Sequence, residues 1–213
     1  MKTVPVDQFL PRISPLVADC PPFSVRRAVS DTVAQICKEA LCLTTEVFLK
    51  TKEDEDTYDV PMPEGLDAEI VRHAFCDGWE MKAVTIDELV RHYSPIDQST
   101  LRGMPMFYCF QKRNRIRVSP APEKEYGIKL VVTASTRRDA KDVPDIFFHD
   151  YVDVVVDGAL ARIYKTAGQA YSNFQLAAEY EARYEKGLLQ VKEDSVRDYS
   201  RTTGRVVPNR WVY

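Results

Sequence analysis

The chain has 213 residues, 45% hydrophobic and 29% charged, with 29 basic and 32 acidic side chains and a formal net charge of −3. That length and apolar content suffice for one sizeable domain or two small ones, and exclude wholesale disorder. The balance of charge excludes a protein whose affinity comes from neutralising DNA phosphates, and no apolar run approaches the roughly 18–20 residues of a membrane span.

The start, Met1 to Leu10, has no apolar core and carries Pro5 and Asp7, so a secretory leader is not expected. Pro5, Pro11, Pro15, Pro21 and Pro22 punctuate the opening, which reads as an extended arm or as irregular packing over the core. Ser24 offers an N-cap for a helix to about Leu41. Val25, Ala28, Val29, Val33, Ile36, Cys37, Ala40 and Leu41 recur at steps of three and four and make one stripe, with Arg26, Arg27, Asp31, Gln35, Lys38 and Glu39 opposite.

The period then changes. Thr44–Lys50 reads as a strand, Lys52 to Asp56 as an acidic turn, and Thr57 to Met62 and Ile70 to Cys76 as further strands. Asp77-Gly78 signals a tight turn into a returning strand, Trp79 to Val84, after which Thr85 caps a short helix through Asp87, Leu89 and Val90. Met106 to Gln111 and Ile116 to Val118 form a hairpin turned around Arg113-Asn114. Tyr126 to Ala134 is the last strand, with Ile128, Leu130 and Val132 on one face. These short strands suffice for a small β sandwich or barrel-like unit.

After Pro144 the helical period returns. Asp145 is placed to cap a helix to about Thr166, with Phe148, Tyr151, Val152, Val155, Ala159, Leu160 and Ile163 on its apolar side; Gly158-Ala159 leaves room for close helix contact, and Gly168 ends it. Ser172 is placed to cap a last helix to about Tyr199, marked by Phe174, Ala177, Ala178, Tyr184, Leu188 and Val191. Gly204 and Pro208 keep the closing residues from continuing it. The expected class is α+β: a bundle of about three long helices, an inserted small antiparallel β domain, and an extended C-terminal arm. The expected divisions are 1–43 for the proline-rich arm and first helix, 44–140 for the β insertion, 141–200 for the C-terminal helices and 201–213 for the arm.

Chemistry-bearing patterns are scarce. His73, His92 and His149 are the only histidines, and none stands in a paired metal-ligand spacing; on a strand, His73 and Cys76 face opposite ways. Cys20, Cys37, Cys42, Cys76 and Cys109 are odd in number and lack C-x-x-C, which reads as reduced thiols in a chain assembled in the cytoplasm. There is no phosphate-binding glycine loop and no serine-nucleophile motif, and the run Glu53 to Asp56 lacks the alternation and central glycine of a calcium loop. No catalytic residue, cofactor or metal is expected. Arg113, Arg115 and Arg117 alternate along a strand and present a small basic face, suited to DNA or to acidic residues of a neighbouring subunit. In the tail, Arg201, Arg205 and Arg210 are interleaved with Val206, Val207, Trp211, Val212 and Tyr213. Trp, Tyr and Arg dominate protein–protein contacts, so this segment reads as an arm that docks on another protein or folds back on its own chain.

Taken together, the segments resemble a known family. Phe9-Leu10-Pro11, Val17, Asp19-Cys20-Pro21 and Val25-Arg26-Arg27-Ala28-Val29 resemble the opening of phage head-to-tail adaptor proteins, the connector or tail tubular protein A-like family. The stretch ending in Asp77-Gly78 and the run Ile116-Arg117-Val118-Ser119-Pro120-Ala121-Pro122 are similar to its β insertion. The closing third is similar through Tyr151, Gly158-Ala159-Leu160-Ala161-Arg162, Leu176-Ala177-Ala178-Glu179-Tyr180, Tyr184 and Gly187. The departure is at Cys42 to Thr45, where a tryptophan is frequent in the family. The resemblance implies a structural virion protein at the head–tail junction, without catalysis, that binds below the portal protein in a ring of about twelve copies. It implies double-stranded DNA passing through the lumen without sequence-specific binding, a platform for the next tail or neck protein, and a C-terminal arm inserted between portal subunits. The competing readings are another neck or tail-completion protein, a small cytoplasmic enzyme with a cryptic His/Cys site, and a host-derived interaction module.

Overall fold

The N-terminal prolines do not hold the chain away from the protein body. In the computed structural model, which describes residues 1–17, 19–89, 102–111 and 114–197, Thr3–Pro5 is strand β1, Val6–Phe9 a 3-10 turn, Leu10–Ile13 helix α1 and Ser14–Leu16 a second 3-10 turn. Val6, Phe9, Ile13 and Val17 recur at steps of three and four and are buried, so packing over the core is the reading observed. Phe9 meets Phe148 edge-on with ring centroids 5.4 Å apart, and the Tyr164 hydroxyl donates to the Leu16 carbonyl at 2.8 Å.

Helix α2 (Pro22–Ala40) starts earlier than the expected Ser24. A proline at the first helical position sacrifices an N–H that has no intrahelical partner, and its fixed φ already suits a helix. The predicted stripe is inward: Val25, Val29, Val33, Ile36 and Cys37 are buried. The helix stops at Leu41, which takes a left-handed conformation (φ 49°) without being glycine. Tertiary donors hold that end: the Leu41 carbonyl accepts from Arg72 Nη2 at 2.9 Å and from Ser195 Oγ at 3.2 Å.

Strands β2 (Thr44–Lys50), β3 (Thr57–Asp59), β4 (Leu66–Cys76), β5 (Trp79–Glu80) and β6 (Lys82–Ala83) follow, then a turn of helix α3 (Ile86–Glu88), then β7 (Phe107–Gln111), β8 (Arg115–Ser119), β9 (Gly127–Thr136) and β10 (Asp142–Pro144). Thr85 and Glu88 form the capping box of α3. One sheet has the order β2-β9-β4-β5 and the other β3-β8-β7-β6, while β1 pairs with β10. The sheets share a core of Val47, Val71, Leu130 and Val132 from the first and Tyr58, Tyr108, Ile116 and Val118 from the second. Ile128, Leu130 and Val132 face inward as the alternation predicts. At the far ends of β4 and β9, Leu66 and Ala134 enter a second core with the helices.

The returning strand expected over Trp79 to Val84 is not one strand, and the sheets are not wholly antiparallel. β5 pairs with β4, and the Met81 N–H donates to the Ala74 carbonyl at 2.8 Å. The Met81 side chain fills the shared core; the Lys82 N–H then donates to the Met106 carbonyl at 2.8 Å, and β6 runs parallel to β7. The chain changes sheets at Met81, and residues 84–106 supply the long connection that parallel pairing requires. β4 also begins before the expected Ile70, because register shifts at Ala68/Ile70 and Val71/His73 interrupt the period-two pattern. The Asp77-Gly78 turn stands as predicted, with φ of 46° and 88°.

The single helix expected from Asp145 to Thr166 is two, α4 (Ile146–His149) and α5 (Val152–Tyr164). The break at Asp150 and Tyr151 lets Phe147 and Tyr151 both turn into the core while Phe148 meets Phe9. Helix α6 (Phe174–Arg197) is capped by Asn173, not Ser172: Asn173 Oδ1 accepts from the N–H groups of Gln175 and Leu176, both at 3.1 Å. Helices α2, α5 and α6 each pack on the other two. Gly158 sits where they meet; a Cβ there would lie 2.5 Å from Thr32 Cγ2 and 2.7 Å from Tyr184 Cδ2. A polar chain rims the contact. Arg162 Nε donates to Thr32 Oγ1 at 3.1 Å and a second guanidinium N–H to Gln35; Gln35 donates to Glu39 at 2.6 Å, and Lys192 reaches Glu39 at 3.2 Å. The Gln35 amide, with Lys192, holds the Glu39 carboxyl below the ordinary carboxylate range. That contribution to stability is present above the range and is lost as pH falls through it.

The buried Tyr184 hydroxyl has no hydrogen-bond partner among the described residues, and burial, reinforced by Glu39, pushes its phenol up to about 12. Tyr184→Phe keeps the packed ring and removes an unsatisfied polar atom. We expect stability to be unchanged or to rise by about 1 kcal/mol, read from the urea midpoint. A loss of similar size would reveal a partner for the hydroxyl.

Candidate functional site

The residues that stood out in the sequence are dispersed over the surface, and most find partners within the chain. Arg115 and Arg117 lie on β8 opposite β3, in register with Asp59 and Thr57. Arg117 Nε donates to Asp56 Oδ2 at 2.7 Å, with both side chains partly buried, and Arg115 Nε donates to Asp59 Oδ1 at 3.3 Å with both exposed. The basic row is therefore met by Asp59 on the neighbouring strand and by Asp56 just before it. Arg113 lies outside the described residues. The acidic turn is consumed in the same way: Asp54, in a left-handed conformation, pairs with Arg102 at 3.0 Å, and Glu55 with Lys52 at 3.5 Å.

His73 is exposed, with Nδ1 3.2 Å from Glu80, while Cys76 is fully buried and its thiol is pushed up to about 11 by desolvation and by Asp77. A thiol so raised is a poor nucleophile at neutral pH. The two side chains do not converge. His149 ends α4, and His92 lies outside the described residues. Among the described residues no group of three or more His, Cys, Asp or Glu side chains could hold a metal ion. No helix among them is long and apolar enough to cross a membrane.

Folding also assembles a surface that pattern reading missed. A cleft of about 470 Å³ is lined by Asp7 from the N-terminal turn, Arg26 and Arg27 from α2, and Arg138, Lys141 and Asp142 before and within β10. Arg26 pairs with Asp7, and both Arg27 and Arg138 reach Asp31, at 3.9 and 3.5 Å. Arg27 and Arg138 keep most of their surface in water, so this cluster of alternating charge remains open to a partner. The β1–β10 pairing and the packing of α2 on β9 bring its halves together, and no local sequence signal marks it. Large apolar side chains also stand exposed, among them Phe23 on α2, Phe48 on β2, Trp79 on β5, and Phe174, Leu189 and Val196 on α6. What the described surface offers is ion pairs and exposed apolar side chains, both of which serve contact between macromolecules.

The proposed docking arm, Arg201, Arg205, Val206, Val207, Arg210, Trp211 and Tyr213, lies outside the described residues. Comparison with known families is informative there as well: a family model described as SU10 adaptor protein matches residues 5–209 and so runs into that segment. No curated protein matches the chain.

Proposed function

The chain belongs to the SU10 adaptor protein family, a family of phage structural adaptors, and on that premise we propose that it forms a ring beneath the portal, extends the DNA channel and provides the platform for the next tail or neck protein. The observation that carries this reading is the family match across residues 5–209, in a chain whose described surface carries ion pairs and exposed apolar side chains. A closed ring needs two different patches on each copy that complement one another. The open charge cluster around Arg27 and Arg138 and the β3–β8 face with Asp59 and Arg115 are candidates. The weak net charge of −3 suits a channel wall that does not retain DNA, since retention would need a basic lining.

The arm supplies a second, tethered contact to the portal. It adds avidity without enlarging the ring interface, because a linked segment binds at the effective concentration its tether sets. In this reading the protein works in the virion, is assembled in the host cytoplasm, and neither makes nor breaks a covalent bond. Electron microscopy of the purified protein, alone and mixed with portal, tests it. We expect closed rings coaxial with the portal, of about the portal's own copy number. Portal particles that stay bare at saturating protein would refute the reading.

A further inference from the structure

The edges of the two four-stranded sheets are unequal. β3, β5 and β6 hold three, two and two residues, whereas β2 holds seven. Proteins keep edge strands short, bulged or interrupted by proline, because an open row of N–H and C=O groups pairs readily with another strand. β2 has none of these devices, and its register with β9 runs unbroken from Thr44 opposite Thr133 to Lys50 opposite Gly127. The bonds at either end fix where its free groups point. The Leu43 carbonyl accepts from the Ala134 N–H at 2.7 Å, and the Thr51 N–H donates to the Tyr126 carbonyl at 2.9 Å, so both face β9. Bonding direction alternates along a strand. Thr45, Val47 and Leu49 therefore face β9 as well, and Thr44, Glu46, Phe48 and Lys50 aim their backbone groups outward. Among the described residues no strand pairs with that side. The same four side chains are exposed. Glu46 meets Lys129 at 2.7 Å, Lys129 lies 5.8 Å over the Phe48 ring, and Lys50 meets Glu125 at 2.8 Å.

We propose that this edge binds the same edge of a second copy, as an antiparallel twofold pair of β2 strands centred on Phe48. Outward groups must meet outward groups, which leaves few registers. A centre at Glu46 or Lys50 opposes like charges, and one at Val47 or Leu49 sets Phe48 against a charged residue. Centred on Phe48, ring stands beside ring, and each Glu46 lies opposite the other copy's Lys50; both are favourable cross-strand pairs. The two Phe48 residues exchange a pair of backbone bonds, and so do both Glu46–Lys50 pairs, about six bonds in all. No existing ion pair is given up. Glu46 keeps Lys129 and gains a second cation, Lys50 keeps Glu125 and gains a second carboxylate, and the signs alternate across the seam. A twofold contact is self-complementary and closes on itself, unlike the head-to-tail contact of a ring. The pair is thus a form of the free protein, and it stands or falls separately from portal binding.

Sedimentation velocity of the full chain and of two charge reversals tests it. Between about 1 and 100 µM the parent should pass from monomer to dimer. Glu46→Lys sets lysine against lysine at both ends of the seam, and Lys50→Glu sets glutamate against glutamate. Each alone should weaken pairing by about 10-fold, while its thermal melt stays in place because both positions are exposed. Mixed one to one, the two variants pair so that every lysine meets a glutamate, and dimers should return. A parent chain showing no dimer at about 100 µM, whether it runs as single copies or as rings, would overturn the proposal. So would dimers that neither reversal weakens, or a mixture in which pairing is not restored.

Discussion

Gly158→Val is expected to be the most damaging single substitution on the helical side of the molecule, lowering stability by more than about 3 kcal/mol, as a core that must be pushed apart. The atoms in the way cannot yield cheaply. Thr32 is held at its hydroxyl, which donates to the Ala28 carbonyl at 2.7 Å and accepts from Arg162 at 3.1 Å, so its methyl cannot rotate aside without breaking both. The Tyr184 ring is buried at the same point. Even Gly158→Ala, which gains about 1 kcal/mol of helix propensity, should lose net stability, because a Cβ 2.5 Å from another carbon is inside contact distance. Natural domains have only about 5–15 kcal/mol to lose, so the valine variant gives up a large share of its stability. Urea titration followed by circular dichroism measures this. The matched control, Ala178→Val on the exposed side of α6, should shift stability by less than about 0.5 kcal/mol. An alanine variant at position 158 as stable as the parent would show that the three helices are not in close contact there.

Truncation after Tyr199 should separate folding from assembly. Every residue of the two buried cores lies at or before Val191, so the shortened chain should keep its circular dichroism spectrum and melt within a few degrees of the parent. Its affinity for portal should fall by about 100-fold or more, the usual worth of a tethered second contact. Sedimentation or surface binding against purified portal measures the loss. Equal binding by the truncated and full-length chains would eliminate the docking arm, while leaving the ring itself to be judged by microscopy.

Much of the architecture was legible because it is local. The α2 stripe follows from steps of three and four, the inward face of β9 from a step of two, and the Asp77-Gly78 turn from two residues that tolerate positive φ. The misreadings have equally specific causes. Bulges in β4 broke its alternation, a proline at the first helical position looked like a breaker, and Asn173 caps α6 one residue after the serine that matches the same pattern. For the charged face of β8, the alternation of Arg115 and Arg117 was visible, but Asp56 and Asp59 as their partners were not.

The order of amino acids by itself determined the mixed helix-and-strand class, the positions of the main elements, and a resemblance whose pieces appear in sequence along nearly the whole chain, now matched by a family model over residues 5–209. Only the tertiary structure decided that the N-terminus seals the helical core, that the chain crosses between sheets at Met81, that Arg26 and Arg138 share a cleft, and that β2 is left at the edge of its sheet. Periodicity is a property of neighbours along one chain, set by backbone geometry. Which distant segments meet depends on the free energy of packing all of them at once, and no local pattern contains that sum.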